Sequence, residues 1–266
     1  MSRRPTTNRR EFLGRGATAG AGVLAGGAVL DALVPSFAAA KSGGVTKGDL
    51  AIIGAAQIAE ALAVTTYTNI IDKAPFFARL ASDDQGYLKA ARDEEMSHYL
   101  LEKSVTGKPA AASTFYYPPK MFADAQTTLN VLVTLEDAFI AAYLVGVRDF
   151  STPNLRVTAA RIMGIESDHR TLARVVAPGV ASQDGGPIEK VTGILGKAES
   201  VDPPNNNGYE RTLHWTKISK AVAALTPFID KAAAGKAGFD THKPYKFKSF
   251  KPTLPTPLGA FHSFIG

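Results

Sequence analysis

The chain has 266 residues, 45% of them hydrophobic, with no cysteine and a formal charge of +6. That is material for one large domain or two small ones, and the lack of thiols excludes disulfides, thiolate metal sites, iron–sulfur clusters and cysteine nucleophiles. The charge does not point to nucleic acid, because the basic excess sits in the first 40 residues and beyond Lys236, leaving 20 basic and 21 acidic side chains in residues 41–235.

Residues 1–40 read as a targeting segment. Asn8-Arg9-Arg10-Glu11-Phe12-Leu13-Gly14 resembles a twin-arginine export signal, followed by a weakly apolar Gly/Ala-rich stretch from Ala17 to Val34 and by Ala38-Ala39-Ala40 as a small-residue cleavage pattern. Asp31 and Pro35 interrupt that stretch and argue against a membrane anchor. No later run is expected to reach the 18 or more apolar residues of a spanning helix, so the exported chain is expected to carry no transmembrane anchor. The localisation expected is the periplasm, the cell envelope or the extracellular space.

A first helix is expected after Asp49 as N-cap, running to about Ile71, with Ala56, Ala59, Glu60, Ala63, Val64 and Tyr67 on its inward side. Ser82-Asp83-Asp84-Gln85 has the form of a capping box and opens a second helix to about Val105, with Gly107 just past its end. Residues 108–120 are rich in Pro and Tyr and long enough to cross from one end of a bundle to the other. A third helix is expected from about Ala123 to Asp149. Thr152 and Pro153 suit N-cap and N1 of a fourth, ending near Val176. A fifth is expected over about Glu210 to Leu225, holding His214 and Trp215, and a proline-punctuated extended tail should follow. The domain division is therefore 1–40 signal, 41–180 four-helix bundle, 181–235 loop and accessory helix, and 236–266 extended basic tail.

Two Glu-x-x-His tetrads, Glu95 to His98 and Glu166 to His169, lie on the second and fourth helices. Residues three apart share a helix face, so each tetrad aims a carboxylate and an imidazole the same way. Each is preceded one helix upstream by a lone glutamate on an apolar stripe, Glu60 and Glu136. Tyr67 and Tyr143 each follow one of those glutamates by seven residues, near its face. The chain thus reads as a helix pair used twice. Four glutamates converging in one core would repel unless cations joined them. Glu, Glu-x-x-His, Glu, Glu-x-x-His on four helices is the ligand set of a dinuclear carboxylate site. Glu94 competes with Glu95, since it shares a face with His98, but only the i, i+3 spacing recurs. Asp137 and Asp168 should point off the ligand face. His214, His242 and His262 have no partner spacing and read as structural or surface residues.

From Asp49 to about Val176 the sequence resembles the ferritin-like superfamily of di-iron carboxylate proteins. Asn205-Asn206-Asn207-Gly208-Tyr209-Glu210-Arg211-Thr212 looks like its exported bacterial branch of desiccation-related proteins. The resemblance implies an all-α, ferritin-like four-helix bundle with a long crossover, plus a C-terminal helix and extended tail. It implies Glu60, Glu95, His98, Glu136, Glu166 and His169 as metal ligands, the tetrad glutamates bridging and the upstream glutamates terminal. The cofactor expected is two iron ions, or manganese, since oxygen and nitrogen donors suit both. Tyr67 and Tyr143 are expected as hydrogen-bonding or redox-active neighbours, with no catalytic residue assigned. The chemistry expected is reaction with dioxygen or peroxide of ferroxidase or peroxide-reducing type, in stress protection. A non-catalytic envelope protein with a structural or lost metal site is the alternative. Expected partners are metal ions, dioxygen or peroxide, a second copy of the chain, and an envelope surface met by the basic tail.

Overall fold

A computed structural model describes residues 45–177, 180 and 213–253. The targeting segment, the Asn205–Thr212 motif and His262 lie outside them. The first helix, α1, is Lys47–Lys73. Thr46 is its N-cap: Asp49 N–H donates to Thr46 Oγ1, and Thr46 N–H donates to Asp49 Oδ2. Asp49 therefore stands at the third helical position and not at the cap. Its carboxylate also accepts from Ser151 N–H and Oγ (2.9 and 2.6 Å), fastening the start of α1 to a distant turn. The second helix, α2, is Ser82–Thr106. No side chain caps its start, because Gln85 Nε2 donates to Leu80 O and does not reach back to Ser82. Gly107 ends it at φ 71°, a left-handed conformation that glycine adopts without a Cβ penalty.

The third helix, α3, is Ala125–Asp149, capped by Asp124. The fourth, α4, is Pro153–Val175, with Thr152 as N-cap and proline in its first turn. α1 packs on α2 and α3 on α4, while α1 meets α3 and α2 meets α4 between the pairs. Short connections within each pair and the long 107–124 crossover between them give the expected bundle. The fold is all-α apart from a two-residue pairing described below.

The next helix, α5, is Ile218–Ile229, eight residues later than the expected start. Residues 213–217 stay non-helical because they are tied down: Arg148 Nη2 donates to Thr216 O, and Trp215 packs on the main core. α5 lies against α1 and α3 through Ala221, Leu225 and Phe228. A short α6, Lys231–Lys236, follows.

The described part of the tail is extended and draped over the bundle. Within the crossover, Thr114–Phe115 (β1) pairs antiparallel with Tyr245–Lys246 (β2), Phe115 opposite Tyr245. Tyr117 is the hub of this junction: its ring meets Phe122, Tyr245 and Phe228, and its hydroxyl lies 3.0 Å from Thr66 Oγ1. Further on, Phe247 stacks on Tyr99, Arg92 covers Phe250, and Thr253 N–H donates to Asp93 Oδ2. This strap lies along α2, beside the first tetrad.

By length and composition α1 and α3 each qualify as a membrane span, contrary to the expectation that no later run would. Yet 72% of each apolar window is buried inside the bundle. Each inner helix touches its pair partner, the other inner helix and α5, so it is apolar around most of its circumference.

Candidate metal centre

Each helix brings its functional group inward by plain periodicity. Glu60 lies on α1 among Ala59, Ala61, Ala63 and Val64. Glu136 lies on α3 beside Leu132, Val133 and Ile140. All six expected ligand residues meet at the bundle centre, in two groups that share Glu95 and Glu166. Glu60, Glu95, His98 and Glu166 form one, and Glu95, Glu136, Glu166 and His169 the other. Within each, one donor atom per residue lies within 4.8 Å of all the others.

The two shared glutamates face both ways. Glu166 Oε1 is 3.3 Å from His98 Nδ1, and its Oε2 is 3.5 Å from His169 Nδ1. Glu95 Oε2 is 3.6 Å from His98 Nδ1, and its Oε1 is 2.9 Å from His169 Nδ1. Glu60 Oε2, 3.5 Å from His98 Nδ1, is confined to one end. Glu95, Glu136 and Glu166 are wholly buried, Glu60 nearly so, and the His98 side chain is 12% exposed.

Several polar atoms in this cluster make no hydrogen bond: Glu60 Oε2, Glu95 Oε2, Glu136 Oε2, both oxygens of Glu166, and His98 Nδ1. Buried polar groups are nearly always satisfied, so this concentration of bare oxygen and nitrogen donors is compatible with a cation site. Oxygen-rich donor sets with one imidazole per position suit iron or manganese.

Without a cation, the cluster holds itself together with protons. Burial pushes Glu60 and Glu136 well above the ordinary carboxylate range, and the charges of Glu95 and Glu166 push them further. Burial alone would also raise Glu95 and lower the two imidazoles. The His169–Glu95 ion pair instead carries Glu95 down and His169 up, and Glu60 does the same for His98.

The tyrosines are crossed between the pairs. Tyr67 on α1 donates to Glu136 Oε1 on α3 (2.7 Å), and Tyr143 on α3 donates to Glu60 Oε1 on α1. Each therefore serves the glutamate of the opposite pair, not the one on its own helix. Burial, then the neighbouring carboxylates, raises both phenols well above 10, so they stay protonated donors.

Glu94, the competing ligand, has another place: its Oε2 lies 2.9 Å from His169 Nε2, the ring nitrogen turned away from the cluster. A carboxylate there fixes the ring and its tautomer. Asp137 points off the cluster as expected, and its Oδ1 accepts from Arg170 Nη1 at 2.9 Å. Asp168, His214 and His242 are exposed. The residue sequence reasoning missed is Glu102, buried on α2, whose Oε1 is 2.9 Å from Tyr143 Oη. Its position was a signal, seven residues after Glu95 and four after His98, hence on the same face.

Fold and cluster together define a class: a four-helix bundle with a central, water-excluded cluster of carboxylates and imidazoles in two overlapping groups. A family model described as the ferritin-like domain matches residues 44–177, half of the chain, and the protein belongs to that family. No curated protein and no solved structure matches the chain.

Proposed function

We propose that this protein holds two iron or manganese ions and reacts with dioxygen or peroxide. The observation that carries this reading is the pair of four-residue donor groups sharing Glu95 and Glu166, with bare donor atoms turned into both. Glu95 and Glu166, common to both groups, would serve both ions, and Glu60 with His98, and Glu136 with His169, would complete the two ends. Tyr143 and Tyr67 each occupy one oxygen of a terminal glutamate, directing the other toward the cluster. Glu94 orients His169 from behind. The apolar walls of α1 and α3 exclude bulk water. When bound, the ions in their divalent state would supply the electrons that reduce dioxygen or peroxide, being oxidised in turn.

The test is metal analysis of the purified protein, then anaerobic Fe(II) loading and exposure to oxygen or peroxide. About two ions per chain with rapid oxidation is the expected result. Metal without oxidation would favour a structural centre, and no metal would overturn the reading.

The reading includes export, supported by Arg9-Arg10 and the small-residue run ending at Ala40, and protection of the envelope from oxidative or drying stress. Cell fractionation of an Arg9→Lys/Arg10→Lys variant tests export. Retention in the cytoplasm is expected, and unchanged delivery would remove that part.

A further inference from the structure

The two halves of the cluster follow the same plan with one exception. Four residues after His98 stands Glu102; four residues after His169 stands Ala173, fully buried. One half therefore has an extra carboxylate where the other has a methyl group. Glu102 is 97% buried, and its Oε2 makes no hydrogen bond. Its Oε1 meets the hydroxyl of Tyr143, the same hydroxyl that contacts Glu60 Oε1. A phenol has one hydrogen, so Tyr143 links the two carboxylates instead of satisfying both. The mirror-image Tyr67 donates to Glu136 alone among the described residues.

Burial pushes Glu102 well above the ordinary carboxylate range, so it meets the phenol as a hydrogen-bonding group and not as a fixed charge. The other half has a nearby carboxylate of its own, Glu94, but that group is 34% exposed and sits on the outer nitrogen of His169, not on a phenol.

We propose that Glu102, acting through Tyr143, makes the two metal positions unequal, so that the ion at Glu60 and His98 is held more tightly than the ion at Glu136 and His169. This rests on the dinuclear reading above. Glu102 is a positioning residue: it holds the phenol that holds Glu60, and Ala173 offers no such contact at the other end.

The test is a Co(II) titration of the full chain, followed by visible absorbance and calorimetry. Wild type should take up cobalt in two resolved steps. Glu102→Gln keeps the shape and puts an amide where the carboxyl meets the phenol. It should weaken the tighter step about 10- to 100-fold, in the range seen when groups supporting a metal ligand are lost, and leave the weaker step in place. Tyr143→Phe should weaken the same step, and combining it with Glu102→Gln should add little beyond the larger single effect. Tyr67→Phe should weaken the other step. Two steps shifted equally, neither shifted by Glu102→Gln, or Tyr67→Phe acting on the same step as Glu102→Gln would each overturn the proposal while leaving two metal positions intact. A wild-type chain that takes up no cobalt would instead remove the dinuclear reading, and this inference with it. Unchanged far-ultraviolet dichroism in the three conservative variants separates these outcomes from misfolding.

Discussion

Glu166 sends one oxygen toward each imidazole, so no other side chain on α4 can replace it in both groups at once. Glu166→Ala is expected to lower bound metal from about two ions to fewer than one per chain; elemental analysis after dialysis checks this, and two retained ions would contradict the bridging role. Arg170, one residue past the tetrad, tests burial instead of chemistry. Its guanidinium is 3% exposed and bonds Asp137, itself 8% exposed. Arg170→Ala leaves a buried carboxylate without that partner and is expected to destabilise by about 3–5 kcal/mol, read by denaturant unfolding. The clustering of the six residues was legible in the sequence because helical spacing fixes direction along one helix. The tyrosine crossing was not, because it depends on which helices face each other. Glu94 was ambiguous for a related reason: sequence spacing relates it to His98, whereas its contact is with His169, 75 residues away.

At the scale of elements, the close approach of α3 and α4 depends on a glycine. A Cβ on Gly146 would stand 2.8 Å from Phe150 Cε2 and 3.4 Å from Ala159 Cβ. Gly146→Ala must therefore displace a buried ring or separate two helices that each carry ligands. Its expected cost is about 1–3 kcal/mol, despite alanine's better helix propensity, measured by thermal unfolding. Helix ends were readable where the cap is local, as at Thr152-Pro153 and Gly107. They were misread where tertiary contacts intervene: Asp49 looks like a cap but is engaged by Ser151, and Trp215 is held outside α5 by its packing on the core. The β1–β2 pairing joins residues 130 and 132 apart and leaves no local pattern from which to infer it.

For the molecule as a whole, the cluster sets the pH response. Burial, with neighbouring carboxylates for Glu60 and Glu136, lifts Glu60, Glu102 and Glu136 above their ordinary 4.5. Against burial, the ion pairs lift His98 and His169 above 6.5. A group raised in the folded state stabilises fully below its unfolded value, and that stabilisation is lost as pH rises through the folded value. Glu95 is lowered and has the opposite sign: its contribution is present above 4.5 and is lost as pH falls toward its folded value. Metal-free protein is therefore expected to be most stable near pH 4.5, to weaken as pH climbs above that and to weaken more steeply above about pH 6.5, where the imidazoles add their share. Saturating Mn(II) should reverse the upper limb, since the cation replaces the protons that hold the cluster together. Melting temperature against pH, with and without Mn(II), checks both limbs; a metal-free midpoint that climbs through alkaline pH would contradict the assignment.

The strap has a consequence for biosynthesis. Residues 245–253 emerge from the ribosome after every helix of the bundle, yet they pair with the crossover and bond to Asp93 on α2. Translation therefore yields an interval in which all six ligand residues exist but the outer wall of α2 is bare. Contacts of such long sequence separation form late. The nascent bundle thus passes through a stage in which the face of α2 that carries Arg92, Asp93 and Tyr99 still lacks its cover.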